Sequence, residues 1–270
     1  MIRYEAAVPE ELDRTSAAEA AAELFPELSP RQLREAFRAR DVKLNGKRVP
    51  PETQTAAQDA LVVFSGEAER PAEILFEDKE FLILVKRQGM PTQGPGSAET
   101  LCARRCGAPV FACHRLDAQT GGLLLLAKTE AARDEAIEAF AQRRVHKTYR
   151  CLVRGTPEPA EKTLRAWLLK DAQAAHVRVL DAPQKGALPI ETRYRVLSEE
   201  GGLSRLEVEI PTGRTHQIRA QLAHIGHPIL GDDKYGDRAL NRKYGVRAQR
   251  LWAVRLTLWD GRAFETKEPF

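Results

Sequence analysis

FACHRLDAQTGGLLLLAKT, residues 111–129, sets an unbroken aliphatic run directly behind three ionisable side chains. Leu123, Leu124, Leu125 and Leu126 follow one another with no polar alternation, the pattern of a strand covered on both faces. That strand should span about residues 122–128. His114, Arg115 and Asp117 precede it with almost no spacer. A carboxylate at the mouth of a buried strand is costly unless it is paired. Arg219, in the first turn of a later helix, is a candidate partner, and an arginine beside an aspartate keeps the acid ionised and nucleophilic. Taken alone, an Asp–Arg pair of this kind is more often structural than catalytic. The residues around it have to decide whether this is a loop cap or a site.

Outward from this stretch the pattern is mixed. Upstream, residues 74–76 and 81–86 read as a strand pair across the polar turn Glu77-Asp78-Lys79, and residues 87–96 as a Gly/Pro loop. Downstream, Thr129 suits an N-cap for a helix to about Arg144, with Arg133, Ala136, Ile137, Phe140 and Ala141 on one side. Strands are expected at 149–153, 176–180, 192–197, 203–210, 251–259 and 263–267, with a helix at 215–225. Strands outnumber helices and do not alternate with them. The expected class is therefore α+β, with a mixed, largely antiparallel sheet and not a doubly wound one.

The first part of the chain reads as a small α+β module of its own. Thr15 or Ser16 can cap an Ala/Glu-rich helix ending near Pro26, and Ser29-Pro30 starts a second helix to about Arg38. Asn45-Gly46 between short alternating segments signals a hairpin, and residues 61–64 close the module. Arg31, Arg34, Arg38, Lys43, Lys47 and Arg48 lie on the second helix and the hairpin with few acids among them, a phosphate-facing pattern. The polar residues 65–71 look like a linker, dividing the chain into domains at 1–68 and 72–270.

Composition excludes several classes. With 270 residues, 43% hydrophobic and 30% charged, the chain can bury a core without metals or disulfides. Its aliphatic runs are strand-sized, too short for a bilayer, and the N-terminus lacks the apolar stretch of a signal peptide, so a cytoplasmic protein is expected. A net charge of +4 permits an anionic partner. Cys102, Cys106, Cys113 and His114 lack the second knuckle of a zinc module, and free thiols are the expected state.

Three segments combine charge with an apolar frame: HRLDAQTGGLLLLAK, HKTYRCLVRG and PTGRTHQIRAQLAHIGHPILGDDKYGDR. In this order they resemble the RluA-type pseudouridine synthases over essentially all of residues 72–270. EILFEDKEFLILVKRQGMP resembles the strand pair that opens their catalytic domain, and LSPRQLREAFRARDVKLNGKRV resembles an S4-like RNA-binding module. The resemblance implies isomerisation of uridine to pseudouridine in structured RNA, most closely the large-subunit ribosomal RNA branch. It implies no cofactor, no metal and no obligatory protein partner, hence a monomer. By residue, Asp117 matches the catalytic carboxylate, Tyr149 the tyrosine against the target base, and Arg219 the basic partner of the aspartate. Arg115 matches the arginine that fills the gap left by a flipped nucleotide. Ile218 supplies pocket wall, and Arg214, His114 and Lys147 complete the substrate-binding set.

This chain departs from the family pattern at Gly121, where serine is usual, at Arg87, where proline is usual, and at Trp252, where histidine is common. Rival expectations are a silent RNA-binding assembly factor, a synthase acting on transfer RNA, and an N-glycoside hydrolase. The last needs a second carboxylate, and none stands near HRLD in sequence.

Overall fold

The computed structural model describes residues 1–66, 73–94, 96–171 and 176–270. Beyond Gly66, the expected linker lies outside the described residues. By contact the chain forms two units, Met1–Ala118 with Leu125–Arg133, and Gln119–Leu124 with Asp134–Phe270.

The first unit opens with β1 (Ile2–Ala7), α1 (Ala17–Leu24), α2 (Pro30–Arg38), β2 (Val42–Leu44), β3 (Lys47–Arg48) and β4 (Ala60–Ser65). The strands form a four-stranded antiparallel sheet in the order β1-β4-β2-β3. Both helices start in capping boxes, Ser16 with Glu19 and Ser29 with Gln32, which satisfy amides the helix itself cannot bond. The hairpin turn has Asn45 and Gly46 at φ 49° and 80°, the left-handed values that favour this dipeptide. Val8, Ala20, Phe25, Leu33, Val42, Leu61 and Val63 make its core. Next come β5 (Glu73–Glu77), β6 (Phe81–Lys86), α3 (Ala98–Cys106) and β7 (Phe111–Ala112).

β8 (Gly121–Ala127) passes from the second unit into the first and is buried at every residue, as a run without alternation requires. In α4 (Glu130–Ala141) the buried residues are Ala132, Ala136 and Ala139. The expected face is therefore displaced: Ile137 is 47% exposed. Alanines permit close approach, while the larger side chains lie at the edges. Arg133 stacks on Phe111, and Phe140 lies under the Lys147 ammonium.

The second unit continues with β9 (His146–Arg154), β10 (Glu161–Asp171), β11 (His176–Leu180), β12 (Leu188–Glu200), β13 (Leu203–Glu209), α5 (Gln217–His224), α6 (Arg238–Lys243), β14 (Leu251–Thr257) and β15 (Ala263–Glu265). Its strand order is β11-β10-β12-β13-β9-β14-β8, with β15 on β14. These pairs run antiparallel except β8 against β14, which is parallel. The fold is the mixed, largely antiparallel α+β class expected. Ala220 of α5 packs with Ala166, Leu168, Val177 and Ile190, so this helix is pinned to the β10–β12 part of the sheet.

Candidate active site

Bonds to main-chain atoms and to the His114 side chain hold the segment that carries Asp117. The Leu125 amide donates to His114 Nε2 at 3.1 Å. Thr92 Oγ1 donates to the Leu116 carbonyl at 2.9 Å and accepts from the Leu116 amide at 3.1 Å. Lys86, fully buried at the end of β6, directs its ammonium at the carbonyls of Met90 (2.7 Å), Arg87 (3.2 Å), Asp117 (3.2 Å) and Ala118 (3.3 Å). Burial pulls the Lys86 ammonium down to about 7, and the charge of Asp117 works the other way. Four carbonyl acceptors around one nitrogen suit the protonated form, which has three hydrogens to give. His114, Leu116, Asp117 and Ala118 are thus tied down, while the Arg115 side chain is exposed and that of Asp117 half-buried. The three ionisable side chains that begin the segment accordingly differ in use: His114 bonds the neighbouring strand, and the other two stay accessible.

The start of β8 is held within the second unit by β14. Gln249 Nε2 donates to Thr120 Oγ1 at 3.0 Å, both residues being buried. Trp252 pairs in register with Gly121, and Ala253 with Gly122. Gly122 has φ +110°, and a Cβ there would meet the Ala253 backbone at 2.2 Å, so only glycine fits. At Gly121 the obstacle is a side chain: a Cβ would lie 2.0 Å from the Trp252 ring.

Tyr149 and Lys147 stand on alternate positions of β9, so they share one face. Tyr149 is buried, in register with Ala253 on one side and Val208 on the other. Lys147 is half-buried, and desolvation lowers its ammonium to about 8. Gly213 brings the PTGR turn to this lysine: a Cβ on it would sit 3.0 Å from Lys147 Nζ. The turn itself is shaped by Gln217, whose Oε1 accepts from Thr212 Oγ1 (2.9 Å) and the Arg214 amide (3.2 Å). Its Nε2 donates to the Glu191 carbonyl at 2.8 Å and to Thr192 Oγ1 at 3.1 Å. Arg214 is exposed on that turn, and Ile218 is buried one residue beyond Gln217.

Arg219 is 3% exposed. Its Nε donates to Asp232 Oδ2 at 2.7 Å, and its Nη2 to Asp232 Oδ1 and Asp233 Oδ1, both at 3.0 Å. Asp232 Oδ1 also accepts the amides of Lys234 and Tyr235, each at 2.8 Å. Burial works to raise the Asp232 carboxyl, but the Arg219 guanidinium and those two amides overcome it and hold it below the usual carboxylate range. Asn241 fixes the same turn, donating to the Asp232 carbonyl at 3.1 Å and accepting from the Gly231 amide at 2.7 Å. His216 and His224 are both hydrogen-bonded, to Tyr235 and Asp181.

Sequence reasoning missed Asp232, Gln217, Thr92 and Lys86 as parts of this machinery. Asp232 stands inside the quoted segment, in GDDKYG, and could have been found there; Asn241 follows three residues beyond its end. Thr92 carries no sequence signal. Among the basic residues of the N-terminal sheet and helices, Arg31, Arg34, Arg38, Lys47 and Arg48 are exposed, and Lys43 lies over the Phe64 ring at 5.4 Å. No group of three or more potential metal ligands occurs among the described residues.

Comparison with known proteins points in one direction. The RNA pseudouridylate synthase family matches residues 80–224, more than half of the chain. Ribosomal large subunit pseudouridine synthase C of Salmonella typhimurium is 34% identical over 241 residues, covering 80% of this chain and 75% of that one. Synthase C of Escherichia coli K12 is 34% identical over 229 residues, covering 77% and 72%, and synthase D of Yersinia pestis is 28% identical over 244, covering 82% and 72%. The human RNA Pseudouridylate Synthase Domain Containing 1 structure superposes with a TM-score of 0.66 at 26% identity, over 77% of this chain and 87% of the other. Fold and sequence together define an RNA-modifying isomerase. The chain belongs to the RluA family of pseudouridine synthases.

Proposed function

We propose that the protein isomerises specific uridines of large-subunit ribosomal RNA, with Asp117 as the catalytic carboxylate. The observation that carries this reading is the segment 114–118, whose backbone is bonded by Lys86 and Thr92 and whose His114 side chain accepts from β8, while Asp117 itself remains half-buried. Rigid backbone under an accessible acid is what a group acting on a ribose needs. The names of the large-subunit relatives support the choice of RNA.

In this reading the uridine flips out of its stack, at a cost of a few kcal/mol, and Arg115 fills the gap. The N1–C1′ bond breaks, the uracil turns in place, and C5 joins C1′ as its own proton leaves for N1 or water. No net oxidation, cofactor or metal enters the balance. Arg219 serves as the basic partner of Asp117, Tyr149 packs on the base, and Ile218 walls the pocket. Arg214, Lys147 and His114 complete the substrate-binding set; Arg214 and Lys147 face phosphate or uracil oxygens, and His114 acts through its bond to β8.

The N-terminal region, residues 1–68, acts as an S4-like RNA-binding domain ahead of the catalytic domain at 72–270. It holds RNA through Arg31, Arg34, Arg38, Lys43, Lys47 and Arg48. The enzyme works as a cytoplasmic monomer; no helix among the described residues is long and apolar enough to cross a membrane.

The test is carbodiimide–primer-extension mapping of ribosomal RNA from cells with and without the gene, followed by complementation. One or more large-subunit sites should vanish in the deletion, return with the wild-type gene, and stay absent with Asp117→Asn. Persistence of every large-subunit site in the deletion would sink the ribosomal assignment.

A further inference from the structure

Gly121 and Gly122 stand side by side, yet the structure requires glycine at each for a different reason. Gly122 is constrained by its backbone, with φ +110° and the Ala253 main chain against it. Gly121 has no positive φ, so its backbone would accept any residue. What excludes a side chain there is one ring. A Cβ would fall 2.0, 2.5 and 2.6 Å from Cζ3, Cε3 and Cη2 of Trp252, far inside van der Waals contact.

The ring is itself confined. Trp252 is 8% exposed, in register with Gly121 on β8 and Arg150 on β9. Its Nε1 is buried without a hydrogen-bond partner among the described residues. The ring fills volume above the first residue of β8. Either side of it, Gln249 bonds Thr120, and Ala253 closes on Gly122. Thr120, Gly121 and Gly122 are thus each fixed by one residue of the 249–253 segment. Asp117 lies four residues before Gly121 in the same continuous segment.

We infer that Trp252 is a positioning residue for the Asp117 segment, acting through the close fit of its ring over Gly121, so that the two residues work as one coupled pair. The departures at 121 and 252 are then a single change: the larger residue at 252 occupies the space vacated at 121. The inference rests on Asp117 being the catalytic carboxylate. In this role Trp252 acts through Gly121, setting where the chain enters β8.

The experiment measures tritium release from total RNA of the deletion strain, labelled with 5-tritiated uridine, under single-turnover conditions with enzyme in excess. Gly121→Ser should lower the maximal rate by about 10²-fold, the scale of an ångström-sized misplacement, with the half-saturating enzyme concentration changed less than about threefold. Trp252→His alone should lower it by roughly tenfold, since a smaller ring leaves the segment loose. Gly121→Ser/Trp252→His should recover to within about fivefold of wild type, far above the product of the single effects. Multiplicative single effects overturn the inference, as does a change confined to half-saturation. If Gly121→Ser fails to fold, Trp252→Phe gives the same reading: a reduced rate at unchanged half-saturation supports the role, and an unchanged rate overturns it. Asp117→Asn runs beside these variants. If it stays active, the assignment of Asp117 falls, an outcome distinct from failure of the coupling.

Discussion

The Asp117 segment and the Arg219 turn are immobilised by opposite means. At Asp117 the protein grips the backbone: Lys86, Thr92 and the Leu125 amide bond main-chain atoms or His114, leaving Arg115 exposed. At Arg219 it grips the side chain: a guanidinium 3% exposed is clamped in two places by Asp232, which is itself anchored by two amides. Backbone anchoring leaves side chains free to be chosen for chemistry. Side-chain anchoring fixes a charge in place and makes its partner indispensable. The two regions should therefore fail differently when their anchors are removed.

The larger failure is expected at Arg219. Asp232→Asn removes the buried partner of the guanidinium and leaves it only the exposed Asp233, and should destabilise by about 3–5 kcal/mol. Urea titration read by far-ultraviolet circular dichroism measures it, and a loss under about 1 kcal/mol would show that the clamp does not hold the turn. Lys86→Met follows, uncovering four carbonyls for about 2–4 kcal/mol. The two anchors also separate by pH. The Asp232 carboxyl is depressed, so its contribution is present above the ordinary carboxylate range and is lost as acid protonates it. Lys86 is depressed to about 7, so from there towards its ordinary value the unfolded chain binds more protons and stability rises with pH. Between pH 7 and 8.5 the wild type should gain on the order of 1–2 kcal/mol relative to Lys86→Met. A flat difference between the two across that window would mean the ammonium stays charged in its carbonyl cage.

Much of the frame was legible because its signals are local. Caps at Ser16 and Ser29, the Asn45-Gly46 turn and the unalternating leucines of β8 each declare themselves within a few residues. β11 fell where expected, at His176–Leu180. Other elements were missed for physical reasons. α3 exposes both its arginines and buries only Ala98 and Cys102, too thin an apolar stripe to read, although Ser97 and Gly107 cap it. β10 alternates, with Leu164, Ala166 and Leu168 buried, but its charged outer face disguised it. β1 has no buried residue and is a strand only because β4 pairs with it. In the site the acids, bases and tyrosine carry motif signatures, as does the anchor Asp232, whereas Thr92 carries none. Lys86 reaches Asp117 across 31 positions, and no periodicity reports such a bond.

The smallest expected effect lies outside both gripped regions, and it sharpens the contrast because the side chains concerned are exposed. Arg34, Arg38 and Lys47 are exposed on α2 and β3, with the charges free to meet phosphate. Removing a charge from such a face changes stability by less than about 0.5 kcal/mol, so any functional loss must come from binding. Each phosphate contact released should flatten the dependence of log affinity on log salt by about 0.7–0.9. The triple alanine variant should therefore weaken RNA binding by roughly tenfold at moderate salt and reduce that slope by about 2–3, with the rate at saturating enzyme unchanged. Filter binding across a salt series measures both quantities. An unaltered slope would separate this face from RNA altogether, and a reduced rate at saturation would give it a part in the chemistry that solvent-exposed charges on a separate sheet have no means of supplying.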